Sequence, residues 1–326
     1  MEQPSPGVPR PIPSQGLEVA AAWSALLAAH RLARMSRLPE IPSAFAADDG
    51  GGLRPVAANA TQALIAWSPA AGWAVASAAQ GDARSVLDLF VPLLPRYAGE
   101  PLTLGHLGQS LDGYIATSRG ESCFVTGPEN ILHLHRLRAL FDAVLVGAET
   151  VAADDPRLTT RLVPGDNPVR VVLDPRRRLP AEHRVLQDGA APTLLICAEG
   201  LAGSGGLGMA EVLAVPTSDG RLRLDALLEA LHRRGLRRLF VEGGGMTVSA
   251  FLAAGLLDRL QVAVTPLLIG EGRRGLSLPA GTALGDCLRP TCRIFRMGGD
   301  ILFDCEPRGY TRGGHPSPEP ALARVC

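Results

Sequence analysis

Lysine is absent from this chain. All 32 basic residues are arginine, and they balance 32 acidic ones to a formal charge of zero. Without lysine there is no Schiff-base amine, no Walker-type phosphate lysine and no lysine general base. Without net charge nothing draws the whole molecule to nucleic acid or to an anionic membrane, so any anion must be met locally, by arginine. The six cysteines, Cys123, Cys197, Cys287, Cys292, Cys305 and Cys326, form no C-x-x-C pair. That argues against a zinc knuckle or a disulfide scaffold and for a reducing, cytoplasmic compartment. No apolar run reaches membrane-spanning length. The alanine-rich run at 20–29 follows Glu2 and five prolines and precedes Arg31, Arg34 and Arg37, which is not the build of a signal peptide.

What remains is a chain of 326 residues, 46% hydrophobic and 20% charged, the composition of a soluble globular protein with one large domain and an appendage. Residues 1–16 are proline-rich and read as disordered. LEVAAAWSALLAAHRLARM has apolar residues at helical spacing, and SVLDLFVPLLPRY offers a short helix interrupted by Pro92. The zone 1–99 holds no catalytic constellation and reads as a partly helical N-terminal extension. From 100 to 307, β-branched runs alternate with helical patterns. PLTLGHLG, DAVLVGAE, VRVVLD, TLLICAE, RLFVEG, RLQVAVTPLLIG and DILFDC predict strands, whereas ENILHLHRLRALF, RLDALLEALHRRG and MTVSAFLAAGLLD predict helices. The fold class is therefore α/β, a mostly parallel central sheet with helices on both faces. Ligands collect at the carboxyl ends of such strands. The tail 308–326 has no periodicity and reads as disordered.

Three strand ends carry unusual residues. DAVLVGAETVAADDPRLTTR, residues 142–161, sets Asp154, Asp155 and Arg161 at the mouth of an apolar strand. RRLFVEGGGMTVSAFLAAG places Glu242 and three glycines at a strand-to-helix junction, where backbone amides can approach a diphosphate, although glycines alone also make a plain tight turn. VRVVLDPRRRLP ends on Asp174 and then Arg176, Arg177 and Arg178, which suit either a 2′-phosphate or a solvated loop. Other matches fail on context. GSGGLG at 203–208 has the dinucleotide fingerprint but precedes EVLAVP, a strand and not a helix. GQSLDG lacks the nucleophile-elbow spacing. His133 and His135 lie two apart on a helix, on different sides, so no metal pair is expected.

In order along residues 100–275, S-L-D-G, S-x-[WF]-[IV]-T, L-R-A, D-A-V-x-V-G-x-x-T-V, A-D-D-P-x-L-T-x-R, R-V-V-L-D and V-E-G-G resemble the reductase domain of the riboflavin biosynthesis protein RibD. The resemblance implies a dihydrofolate-reductase-like fold, a homodimer, and NADPH-dependent reduction of 5-amino-6-(5-phosphoribosylamino)uracil to its ribitylamino product. By matched position, Gly108, Phe124, Thr150, Asp154, Pro175 and the run Gly244, Gly245, Met246, Thr247, Val248, Ser249 and Ala250 would contact NADPH. Ser122, Arg138, Leu158, Arg161 and Glu242 would contact the substrate. Arg138 and Arg161 together would then grip the sugar phosphate through charge-assisted hydrogen bonds. Asp154 would face the cofactor, and Pro156 would keep acid and arginine apart. Glu242 and His106 are the candidate proton donors. This chain departs from the family in having His106 for Lys, Phe124 for Trp and Glu149 for Gly, and neither H-x-E nor P-C-x-x-C occurs, so no deaminase half is expected. Reduction of another small heterocycle or imine, or a homologue that binds without turnover, stays open.

Overall fold

The computed structural model describes residues 16–122, 125–203, 206–279, 281 and 283–307. The expected disorder before residue 16 and after 307, the cofactor contact at Phe124, and part of the GSGGLG loop lie outside the described residues.

Helix α1 (Leu17–Arg34) is built from alanine and leucine, with Glu18 in its first turn and Arg31 and Arg34 in its last, each where the helix dipole favours that sign. Strands β1 (Ser43–Ala47), β2 (Leu53–Val56), β3 (Ile65–Ser68) and β4 (Gly72–Val75) follow and pair antiparallel in the order β2-β1-β3-β4. Phe45, Trp67 and Trp73 cluster on that sheet, with ring centroids 5.1 and 6.0 Å apart. Helix α2 (Gly81–Phe90) then gives way to a tight turn at Val91–Leu93, around Pro92. Helical periodicity predicts the two helices; the sheet between them is an addition the sequence reading lacks.

The large sheet draws on the rest of the chain. Its elements run β5 (Leu102–Ser110), β6 (Tyr114–Thr117), α3 (Pro128–Leu140), β7 (Ala143–Gly147), α4 (Ala148–Asp154), β8 (Val169–Leu173), α5 (Arg184–Gln187), β9 (Thr193–Ala198) and β10 (Glu211–Val215). After them come β11 (Thr217–Ser218), β12 (Arg221–Leu222), α6 (Leu224–Arg233), β13 (Arg238–Val241), α7 (Gly245–Ala253), β14 (Arg259–Thr265), β15 (Gly272–Arg274), β16 (Thr291–Met297) and β17 (Asp300–Glu306). Nine strands pair in the order β10-β9-β8-β7-β13-β5-β14-β17-β16. Every pairing from β10 to β14 is parallel, and β17 and β16 close the far edge antiparallel. This is the mostly parallel α/β sheet that the alternating pattern predicts.

Strand period decides which core each residue enters. Along β7, Val144 and Val146 point into one core with α1, α2 and α3, while Ala143 and Leu145 point into the other with α6 and α7. The first core joins the N-terminal segment to the sheet without interruption: Trp23, Leu26, Leu87 and Phe90 are buried with Leu104, Leu137 and Phe240. Polar ties follow the same seam. Trp23 Nε1 donates to Pro164 O at 3.0 Å, Arg293 Nη1 donates to Asp88 O at 2.6 Å, and Arg34 pairs with Asp142 at 3.2 Å. The Arg136 guanidinium lies 5.7 Å from the Trp23 ring.

Trp23 is 1% exposed. Trp23→Ala is therefore expected to destabilise the protein by about 3–5 kcal/mol in urea denaturation. A chain starting near Glu100 should fail to fold, because half of one core would face water. A shortened chain that unfolds cooperatively would show instead that the two segments are independent.

Candidate active site

Strands β7 and β13 are parallel neighbours; a helix begins directly after β7, and another begins after the three residues Glu242, Gly243 and Gly244 that follow β13. Their first turns interlock. A side chain at Gly244 would meet Thr150 Oγ1 at 3.1 Å, and one at Gly147 would meet Thr247 Oγ1 at 2.9 Å. Gly243 and Gly244 have φ of 141° and 73°, backbone that L side chains resist. Gly245 is tighter still, since a Cβ there would lie 2.1 Å from Gly275 O. Two helix N-termini thus meet at one strand end, their leading amides short of intrahelical acceptors. Of the expected run, Gly244, Gly245, exposed Met246 and Thr247 border this cradle, and Ala250 is exposed one turn on. Of the remaining two, Val248 is fully buried in the core, and the buried Ser249 uses its hydroxyl to accept Ser277 N–H at 2.9 Å.

The stretch expected to be a strand mouth is instead helix α4, whose last residue is Asp154. The preceding strand stops at Gly147, and Ala148 and Val151 set the first turns of helix against the core while Ala152 and Ala153 face outward. Asp154 Oδ1 accepts Ser122 Oγ–H at 2.8 Å, so the residues expected at cofactor and substrate touch each other. Asp155 caps α5 by accepting Arg184 N–H at 2.8 Å. Leu158 has φ of 54° and a side chain 1% exposed. Its side chain belongs to the core.

Arg138 and Glu242 meet although they are 104 positions apart. Arg138 Nε donates to Glu242 Oε2 at 2.6 Å, Nη2 donates to Oε1, and Nη1 donates to Thr159 O at 2.9 Å. The two side chains are 7% and 8% exposed. A guanidinium buried this deeply needs a counter-charge, and Glu242 at the end of β13 provides it. Of the two arginines expected to grip the phosphate, Arg138 is thus bound to Glu242 and Thr159 O. Arg138 has every nitrogen engaged, whereas the exposed Arg161 guanidinium has no partner among the described residues. Partial burial and the neighbouring Arg138 and Arg157 push the Arg161 pKa down, against the opposing pull of Glu242. An arriving anion would relieve that repulsion.

His106, a candidate proton donor, is buried. The ring is 2% exposed, its Nε2 lies 3.0 Å from Asn130 Oδ1, and burial beside His133 lowers its pKa to about 3. It packs against Asn130 and His133 of α3. Both oxygens of Glu242, the other candidate donor, accept from Arg138. His133 turns to Gln261 Oε1 at 2.7 Å, and His135 Nδ1 accepts Arg161 N–H at 3.0 Å, so the two histidines diverge as expected.

Pro175 is exposed at the end of β8, where its carbonyl accepts Ala198 N–H at 3.2 Å. Beside it Arg177 donates to Leu201 O and Ala202 O and anchors that loop, leaving Arg176 and Arg178 exposed. Gly108 makes room for Thr126, whose Cγ2 would lie 2.6 Å from a Cβ. Sequence reasoning missed Asp112, which receives Ser110 Oγ–H and the amides of Ile269 and Gly270 and so ties the S-L-D-G turn to the loop after β14. Its partners lie some 157 positions away, beyond any local signal.

Residues 104–289 match the family model of the RibD C-terminal domain. The 2,5-diamino-6-ribosylamino-4(3H)-pyrimidinone 5′-phosphate reductase of Methanothermobacter thermautotrophicus is 37% identical over 219 residues, 64% of this chain and 99% of that protein. The riboflavin biosynthesis protein RibD of Aquifex aeolicus is 39% identical over 171 residues, 50% of this chain and 46% of that protein, so the chain spans about half of that longer relative. Among solved structures, the Thermotoga maritima diaminohydroxyphosphoribosylaminopyrimidine deaminase/5-amino-6-(5-phosphoribosylamino)uracil reductase aligns at a TM-score of 0.56 and 26% identity, covering 68% of this chain and 59% of that one.

Proposed function

The chain belongs to the RibD C-terminal domain family, and from that premise we propose that it reduces 5-amino-6-(5-phosphoribosylamino)uracil to 5-amino-6-(5-phosphoribitylamino)uracil with NADPH, in the cytoplasm and as a homodimer. The observation that carries the substrate class is Arg161, a guanidinium without a partner among the described residues, beside the closed Arg138–Glu242 pair. It binds the sugar phosphate. Glu242, oriented by Arg138, accepts hydrogen bonds from substrate hydroxyl or amino groups at the end of β13.

The residues present fit a dinucleotide. Gly243 and Gly244 keep the cradle open in conformations that only glycine holds easily, and α4 and α7 direct their N-termini at it. Gly244, Gly245, Met246 and Thr247 would hold the diphosphate, with Thr150 on the facing turn. Arg176 and Arg178, exposed past β8, suit the 2′-phosphate of NADPH. When bound, the nicotinamide would supply a hydride to the C1′ carbon of the ring-opened imine, whose nitrogen takes a proton from water, and no protein nucleophile is required.

Similarity to the archaeal reductase along nearly its whole length favours a second substrate, the 2,5-diamino pyrimidinone phosphate. Purified protein incubated with NADPH and each compound separates the readings. Oxidation of NADPH that depends on the uracil supports the first; turnover of the diamino compound alone supports the second. Reduction of unphosphorylated imines only, or binding without turnover, would overturn both.

Gly245→Ala probes the cradle. Its Cβ cannot sit beside Gly275 O without displacing β15 or the start of α7, so a stability loss on the order of 1–3 kcal/mol is expected. Initial-rate kinetics should show the KM for NADPH rising more than that for the substrate.

A further inference from the structure

Residues 156–162 form no strand, yet they carry Arg161 to the cleft. Side chains hold this segment one residue at a time. Thr159 O accepts from Arg138 Nη1 at 2.9 Å, Thr160 N–H donates to Asn167 Oδ1 at 2.8 Å, and Arg161 N–H donates to His135 Nδ1 at 3.0 Å. His135 and Arg138 are three residues apart on α3, hence on one face. Just upstream, Leu158 is held in left-handed backbone, conformational strain that persists only where surroundings enforce it. So the segment is fixed at consecutive positions while its terminal guanidinium is left without a partner among the described residues.

We propose that His135 is a positioning residue for the phosphoribosyl substrate: by accepting the Arg161 amide hydrogen it fixes the backbone from which the free guanidinium reaches the phosphate, with Asn167 holding the preceding residue. The inference rests on the reading of Arg161 as the phosphate ligand. His135 can serve over the working range because it stays an acceptor. Burial, then Arg138 and Arg161, lower its pKa to about 3, so Nδ1 keeps its lone pair at neutral pH. The groups facing it from the packed elements are these two arginines, and both oppose its protonation.

His135→Leu removes the acceptor, and His135→Asn restores an oxygen near the Nδ1 position. Misplacement of a binding group by about 1 Å can cost about a hundredfold. His135→Leu is expected to raise the KM for the phosphoribosyl substrate at least about tenfold with the KM for NADPH unchanged, and His135→Asn should recover most of the loss. Equal rises for both ligands, or no recovery with Asn, would overturn the proposal. Should His135→Leu fail to fold, Asn167→Ala on the exposed side of the segment gives the second reading, with a smaller rise in substrate KM expected and no rise counting against. Arg161→Ala run alongside keeps the two claims apart. If it leaves the substrate KM unchanged, the phosphate assignment is wrong; if it alone acts, only the positioning role is.

Discussion

Arg161→Ala raises the KM for the phosphoribosyl substrate by roughly 10- to 140-fold and leaves that for NADPH nearly unchanged, because a charged hydrogen bond is worth about 1.5–3 kcal/mol. The direction follows from the surroundings. Arg138 is closed on Glu242 and so cannot take over the phosphate when Arg161 is removed. Stability should barely fall, since the side chain is exposed and makes no bond among the described residues. Arg161→Lys is expected to recover part of the affinity, a point charge replacing a fork. Initial-rate kinetics in both substrates decide the matter: losses of equal size for substrate and cofactor would mean that Arg161 shapes the cleft and does not bind the phosphate.

The second large effect concerns the buried pair. Arg138→Ala or Glu242→Ala strands a charge in a site less than a tenth exposed, and each is expected to cost about 3–5 kcal/mol of stability. That is a large part of the 5–15 kcal/mol typical of a folded domain. The double replacement Arg138→Met with Glu242→Leu should be milder than either single change, because no lone charge remains. Activity should be lost in all three, since Glu242 without its partner, or absent, can no longer receive the substrate in one orientation. Chemical denaturation reads the first claim. A double variant less stable than both single ones would show that the pair contributes net stability beyond neutralising itself.

How much of this was legible beforehand differs by element. Parallel strands buried on both faces are continuous apolar runs, so AVLVG, VRVVL, TLLICA and RLFV stand out. Their order in the sheet does not, because β13 enters between β7 and β5 by contacts that no local pattern records. The strands of the N-terminal sheet are four or five residues long and include Pro55 and Gly72, too short and interrupted for alternation to emerge. At the site, the glycines after Glu242 declare a close backbone approach by their identity alone. The partner of a charge is another matter. Arg138 and Arg161 look alike in sequence, and only the fold reveals that one is closed by an acid 104 positions away while the other is left open. The acid at 154 misled for a similar reason: beside Pro156 it suggests a turn, whereas Val151 packing on the core draws it into the end of a helix that Asp155 closes in left-handed backbone.

Helix α3 bears the residues that arrange the cleft on one side and meets α1 and α2 on the other, where the His133 ring lies 5.2 Å from Phe90 and Arg136 covers both Trp23 and Phe90. The leading segment is thus a roof over the catalytic scaffold. A fusion that exchanges those first hundred residues for another module would have to rebuild that roof, and variation in Trp23 or Phe90 should be read as a change in the enzyme itself.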